Sequence, residues 1–300
     1  MKSASPSFGQ WSGLLLLLIM GTLWGLQFAM LKLATERGLS EIGTLMIALV
    51  LLSGVFLVVM VLRKEVMKPT AKLLLFFIWV ALLGYVIPLM VALYAMQHVP
   101  AGIVTLMATL SPVVTIIAAT AFRSEKVSFG QFAAVVMGAV AVLLVFWPEL
   151  ESPDYGNAYW LSLALLIPLC YGIESVWIAV FWPRGLNSLQ VVTGETIVAA
   201  FMVARVFFFF DNSTIQFVGW SVVELAVTVF VIAGVVESFI YFHLIERSGG
   251  VFVSFGNFVA MIAGIAWGIL LFSEVHGVFV WFAVIAAMLS LLLATRNLRV

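Results

Sequence analysis

The chain has 300 residues, 64% of them apolar and only 9% charged, and its formal net charge is zero. Soluble domains carry about 25% charged residues, so this composition excludes a soluble globular core. With no basic excess there is no nucleic-acid partner, and the lone cysteine, Cys170, inside an apolar run, excludes a disulfide within the chain.

A helix needs about 20 mostly apolar residues to cross a bilayer. Ten stretches meet that length, roughly 13–34, 42–62, 72–96, 101–122, 128–147, 158–180, 189–209, 222–244, 250–272 and 277–295. They are too long for barrel strands and do not alternate, which excludes a transmembrane barrel. Lys2 ahead of Leu14–Leu18 gives the start the look of a signal peptide, but the apolar run continues and no small-residue cleavage site follows. A retained first helix is expected. The connections Arg63–Thr70, Pro148–Asn157 and Trp182–Ser188 are too short to house a soluble domain.

With the N-terminus in the cytoplasm, the inner side holds Lys2, Arg63, Lys64, Lys68, Lys72, Arg123, Lys126, Arg184, Arg247, Arg296 and Arg299, and the outer side only Lys32, Arg37 and Arg205. That asymmetry follows the positive-inside rule. Acids collect outside instead, at Glu36, Glu41, Glu149, Glu151, Asp154 and Asp211.

The chain repeats itself. Adding 149 lays Ala101–Glu125 on Gly250–Glu274, with Ser124-Glu125 on Ser273-Glu274 and Val104 on Val253. At an offset of 147, Trp24-Gly25-Leu26-Gln27 matches Tyr171-Gly172-Ile173-Glu174. Five spans per half is odd, so the second half enters the membrane upside down, an arrangement that builds two gates around a midplane site. The fold expected is an all-α membrane protein with ten transmembrane helices, two inverted five-helix repeats at 1–150 and 151–300, and both termini cytoplasmic.

In span one, Trp24, Gln27 and Leu31 share a face at i, i+3 and i+7, and Gly21 to Gly25 is a GxxxG motif that lets helices approach closely. Span three offers Tyr85 and Tyr94 as candidate walls, and its Pro88 cannot donate to the carbonyl of Gly84. In span four Thr105, Ala108 and Pro112 share a face. Pro112 leaves the carbonyl of Ala108 without its donor, a hinge or binding position in a transporter and a mere kink in any membrane helix. Spans six and eight repeat the first face with Tyr171, Glu174 and Ile178, and with Gly234, Glu237 and Tyr241. Glu195 lies in span seven, and Glu224 nearer the outer end of span eight. Span nine has a seam of Ser254, Asn257, Met261, Gly264 and Gly268. Its glycines read as packing, and Asn257 is either a bridge between helices or a substrate contact.

A carboxylate at mid-membrane costs from about 2.5 kcal/mol upward, and the basic residues all lie toward span ends. Glu174, Glu195 and Glu237 are therefore candidates to meet a cationic substrate or a proton; the plainer reading is a protonated acid bonded to a neighbouring helix. An aromatic one turn from a polar group makes a pocket wall for an ammonium group. Most of the aromatics, however, belong to lipid-facing or interfacial positions.

Gly21–Lys32 (GTLWGLQFAMLK), Tyr94–Glu125 with its central Pro112, and the closing Ser273-Glu274 resemble the drug/metabolite transporter superfamily, in particular its EamA-type branch. The resemblance implies ten helices in two inverted repeats and movement of small organic metabolites by alternating access. It also implies that Glu125 and Glu274 are structural or gating residues rather than substrate ligands. The second half carries Met261 where the first has Pro112, so helix nine lacks that proline break.

The function expected is a secondary active or facilitative transporter of the cytoplasmic (inner) membrane for an amino acid, an amine or a quaternary ammonium compound. Its site would lie between spans one, three, four, six, eight and nine. Substrate contacts are expected from Trp24, Gln27, Tyr85, Tyr94, Tyr171, Glu174, Glu195, Glu237, Tyr241 and Asn257, with gating or structural roles for Pro112, Glu125, Gly264, Gly268 and Glu274. Proton coupling through Glu174 and Glu237, export of amphipathic drugs or neutral metabolites, and monomer or homodimer all stay open. A channel would need a continuous polar stripe that the sequence lacks. No catalytic motif is present, and His98, His243 and His276 are scattered, so no enzyme, metal or cofactor is expected. The partners are the small-molecule substrate and the lipid bilayer.

Overall fold

A computed structural model describes residues 10–125, 128–151, 155–211 and 221–295. Lys2, Lys126, Asp154, Arg296 and Arg299 lie outside the described residues, as do the side chains of Glu149 and Glu151. Every regular element among the described residues is helical. We number them α1 (Gln10–Glu36), α2 (Glu41–Leu62), α3 (Ala71–Ala95), α4 (Ala101–Ala121), α5 (Phe129–Glu151), α6 (Ala158–Phe181), α7 (Ser188–Phe210), α8 (Val222–Ser254), α9 (Gly256–Phe272) and α10 (Val278–Thr295). Seven helices are long and apolar enough to cross a membrane, and three apolar helices are shorter, at Phe129–Leu144, Gly256–Phe272 and Val278–Leu293.

Polar residues set the starts. Ser40 and Thr70 cap α2 and α3 by accepting from the N–H groups of Gly43 and Leu73. Asn187 with Gln190, and Ser221 with Glu224, form capping boxes at α7 and α8. Glu224 is thus a cap, away from the chamber described below. Inside the helices, Thr105, Thr109, Thr115, Thr193 and Thr196 turn their hydroxyls onto carbonyls of their own helix. This satisfies a polar group in hydrocarbon without a partner helix. Large apolar side chains such as Phe208, Leu270 and Val58 stand on the outer surface, where lipid is their natural solvent.

The sequence expects separate spans at 222–244 and 250–272, and the backbone breaks between them at Gly249, whose φ of 81° is left-handed and whose ψ of 170° is not helical. Helix nine has no proline, as Met261 in place of Pro112 leads one to expect, yet both halves are interrupted in this helix. The first half narrows to a 3-10 turn at Ala108–Leu110 ahead of Pro112, with the Ser111 N–H bonded to the Ala108 carbonyl. The second half is interrupted at Phe255, which the 149 offset lays on Leu106, without any proline. The Ala108 carbonyl is therefore not left free.

Helices α1, α8 and α9 pack together, as do α2 with α7, α4 with α6, and α5 with α10. Two glycines set the tightest approaches. A Cβ at Gly25 would lie 2.6 Å from the carbonyl oxygen of Ala260, and one at Gly172 would lie 2.8 Å from that of Ser111. Ser111 and Ala260 are 149 positions apart, the offset of the internal repeat.

Candidate functional site

Pro88 has no N–H, and one turn before it α3 widens to a π-helical segment at Leu82–Val86, where the Ile87 N–H bonds back to the Leu82 carbonyl. The widened turn presents Gly84 and Tyr85 to a chamber inside the bundle. The walls are Trp24, Gln27 and Phe28 of α1, Gly84, Tyr85 and Leu89 of α3, Tyr171 and Glu174 of α6, Glu195 of α7, and Glu237, Ser238, Tyr241 and Phe242 of α8. The volume is about 30 Å³, far below the roughly 300–1,000 Å³ of a metabolite pocket. The conformation is closed around its polar centre.

Three rings meet at one side. Trp24 lies with its centroid 5.0 Å from that of Tyr171 and 6.0 Å from that of Tyr241. The Tyr85 hydroxyl is 3.1 Å from Ser238 Oγ, and Ser238 Oγ donates to Glu237 Oε2 at 3.4 Å. The Tyr241 hydroxyl bonds the Glu174 carboxyl, and Gln27 faces Glu237. Glu174, Glu195 and Glu237 are all buried, and among the described residues no lysine, arginine or histidine lines the chamber. Three polar atoms there, Gln27 Nε2, Tyr171 Oη and Glu195 Oε1, find no hydrogen-bond partner among the described residues. Buried polar groups are normally paired, so these are groups a substrate or water can engage.

Eight of the ten residues expected to contact substrate come together here. Tyr94 sits instead at the last turn of α3, off the chamber wall, and Asn257 is buried in α9 with its Nδ2 donating 2.9 Å to the carbonyl of Ser254 in its own chain segment. Neither α4 nor α9 contributes a wall residue, whereas α7 contributes Glu195. Sequence reasoning missed Phe28, Leu89, Ser238 and Phe242, and it named Gly84 only for the carbonyl that Pro88 cannot serve. Gly84 was marked by its place four residues before Pro88, and Ser238 by its adjacency to Glu237. Gly264 packs against Thr105, and Gly268 against the Glu274 carboxylate.

Glu125 and Glu274 form two matching clasps. Glu274 accepts from the N–H of Ala101 at 2.8 Å and of Gly102 at 3.3 Å, at the start of α4. Glu125, just beyond the end of α4, accepts from the N–H of Gly250 at 2.8 Å and of Val251 at 3.4 Å. Each donor and each acid has its counterpart 149 positions along. A carboxylate at exposed helical N–H groups complements the helix dipole.

The clasps differ in charge. Lys32 Nζ, on a buried side chain, donates to Glu274 Oε1 at 2.8 Å and lies 3.8 Å from Glu36. Burial pushes the Glu125 carboxyl above its usual range, opposed by the N–H donors of Val251 and Gly250. Burial likewise lowers His276, beside Glu274, which partly offsets it. The pairing of Lys32 with Glu274 was not read from the sequence; a lone lysine within an apolar span was its only signal.

Residues 11–147 match the model of the EamA-like transporter family. That stretch is almost all of the first predicted half, and the likeness to the drug/metabolite transporter superfamily is shown on it. The EamA-like stretch together with the long apolar helices supports a multi-pass membrane protein, and the likeness suggests a transporter of small molecules. One similar solved structure, described as "Crystal structure of protein", shares 15% identity at a TM-score of 0.70, over 95% of this chain and 99% of that one. At that identity the likeness speaks for the fold alone. No curated protein matches the chain.

Proposed function

We propose that this EamA-like protein is a secondary transporter of the cytoplasmic membrane, moving a small organic metabolite with an amine or quaternary ammonium group, an amino acid among the options, by alternating access. The carrying observation is the convergence of Glu174, Glu195 and Glu237 with Trp24, Tyr171 and Tyr241 on one buried chamber that no basic side chain among the described residues lines. Carboxylates at that depth are stabilised by a cation or a proton, and ring faces attract ammonium groups. Glu174 and Glu237 are the candidates for proton coupling.

In this reading ten spans form two inverted halves, 1–150 and 151–300. The support is the paired glycine contacts at Ala260 and Ser111, and the paired clasps. The clasps then act as gates at opposite ends of the chamber, and both are engaged in the closed conformation. Glu174→Gln and Glu237→Gln proteins in liposomes test the reading: each is expected to transport about tenfold more slowly, the loss of one charge-assisted contact, with a flattened pH dependence. Wild-type rate and wild-type pH dependence in both would overturn it.

A further inference from the structure

We infer that the chamber is built for a short linear diamine, with an ammonium group at each end and no carboxylate, in preference to an amino acid, a monoamine or a quaternary ammonium compound. The inference rests on the transport reading above and narrows its substrate class.

The acceptors fall into two sets. At the first, a Cβ on Gly84 would lie 2.6 Å from Glu195 Oε1 and 3.0 Å from Glu174 Oε1, so both carboxyls converge on this backbone position, left open by glycine. Glu195 Oε1 is unpartnered among the described residues and the residue is only 1% exposed. Residue 88, whose N–H would serve the Gly84 carbonyl in an α-helix, is proline. An alkylammonium carries three donors and no acceptor, the complement of such a group of oxygens.

The second set is Glu237 with Gln27 and Ser238. Glu237 stands one helical turn, about 6 Å along α8, from Tyr241, which bonds Glu174 at the first set. The rings of Trp24, Tyr171 and Tyr241 pack together on the same chamber wall, apolar enough for a methylene chain and able to hold a cation.

Charge and size exclude the alternatives. A substrate carboxylate would enter among three glutamates with no cation among the described wall residues to meet it, and like charges at close range repel. A quaternary ammonium has no N–H and could not donate to Glu195 Oε1, which would be left unbonded by the substrate. A monoamine satisfies one set and leaves the other. Two ammonium groups neutralise two of the three carboxyls, and the third keeps a proton.

The test is competition binding with the full-length protein in liposomes, using labelled putrescine against butylamine, ornithine and choline. Putrescine is expected to bind at least about tenfold more tightly than each, the worth of one charge-assisted hydrogen bond. Glu195→Gln is expected to shrink the preference of putrescine over butylamine toward unity. Ornithine matching putrescine overturns the inference. Butylamine or choline binding as well as putrescine also overturns it, while the amine-transport reading stands. If folded protein, judged by cooperative thermal unfolding, binds none of the amines, both fall. The wild-type competition series decides the matter should Glu195→Gln fail to fold.

Discussion

At the scale of single residues, two acids with the same job sit in different electrostatic settings. Glu274 is paired with buried Lys32, and both side chains are less than a tenth exposed, at 7% and 8%. Removing one charge from a buried pair strands the other, at a cost of about 3 kcal/mol. Glu274→Gln is therefore expected to lower the thermal unfolding temperature in detergent clearly, with Glu36 recovering part of the loss. Among the described residues Glu125 has only N–H donors, and burial raises its carboxyl above its usual range. A raised carboxyl favours the protonated form in the folded state, so its contribution is present at acid pH and lost as pH rises through the folded value. Glu125→Gln, which keeps an oxygen for Gly250, is expected to be harmless at acid pH and to gain relative stability toward neutral pH. Equal losses in the two glutamine variants at neutral pH would argue against the charge difference between the clasps.

At the scale of elements, the decisive features are places where a helix is interrupted. The π-helical segment at Leu82–Val86 brings Gly84 to the carboxyls of Glu174 and Glu195. The break at Gly249 aims the N–H groups of Gly250 and Val251 at Glu125. Gly249 and Gly185 have nearly the same left-handed φ, 81° and 82°, but a Cβ at Gly249 would lie 2.7 Å from the Glu125 carboxyl while one at Gly185 meets nothing within 4 Å. Alanine at either costs about 1–2 kcal/mol for the left-handed backbone. Only Gly249→Ala should also lose the clasp, so its melting temperature is expected to fall further and its transport rate to drop while Gly185→Ala keeps transport. Matching behaviour of the two variants in both assays would remove the clasp from the gating account.

At the scale of the molecule, the chamber of about 30 Å³ is too small for a metabolite, so the proposed transport requires a larger opening on one side at a time. The orientation that would distinguish inside from outside comes from the positive-inside rule. It predicts that a cysteine placed at Arg37, with Cys170 replaced by alanine, reacts with a membrane-impermeant maleimide in intact cells. One placed at Arg184 should react only after permeabilisation. Labelling of both in intact cells, or the reverse pattern, would overturn the assignment of sides.

The sequence by itself determined the membrane character, the approximate helix positions, the internal offset of 149 and most of the chamber's acids and rings. These follow from hydropathy, helical period and the rarity of charge in apolar spans, all of them local in the chain. Only the tertiary structure decided which of those residues meet. It brought Glu195 and Gly84 together, left Tyr94 and Asn257 off the wall, and paired Lys32 with Glu274 across 242 positions of sequence. Such contacts depend on helix rotation and on the non-α turns at Leu82–Val86 and Gly249. These set which way each face points, and a periodic pattern of apolar residues, nearly the same on every side of a membrane helix, carries almost no record of it.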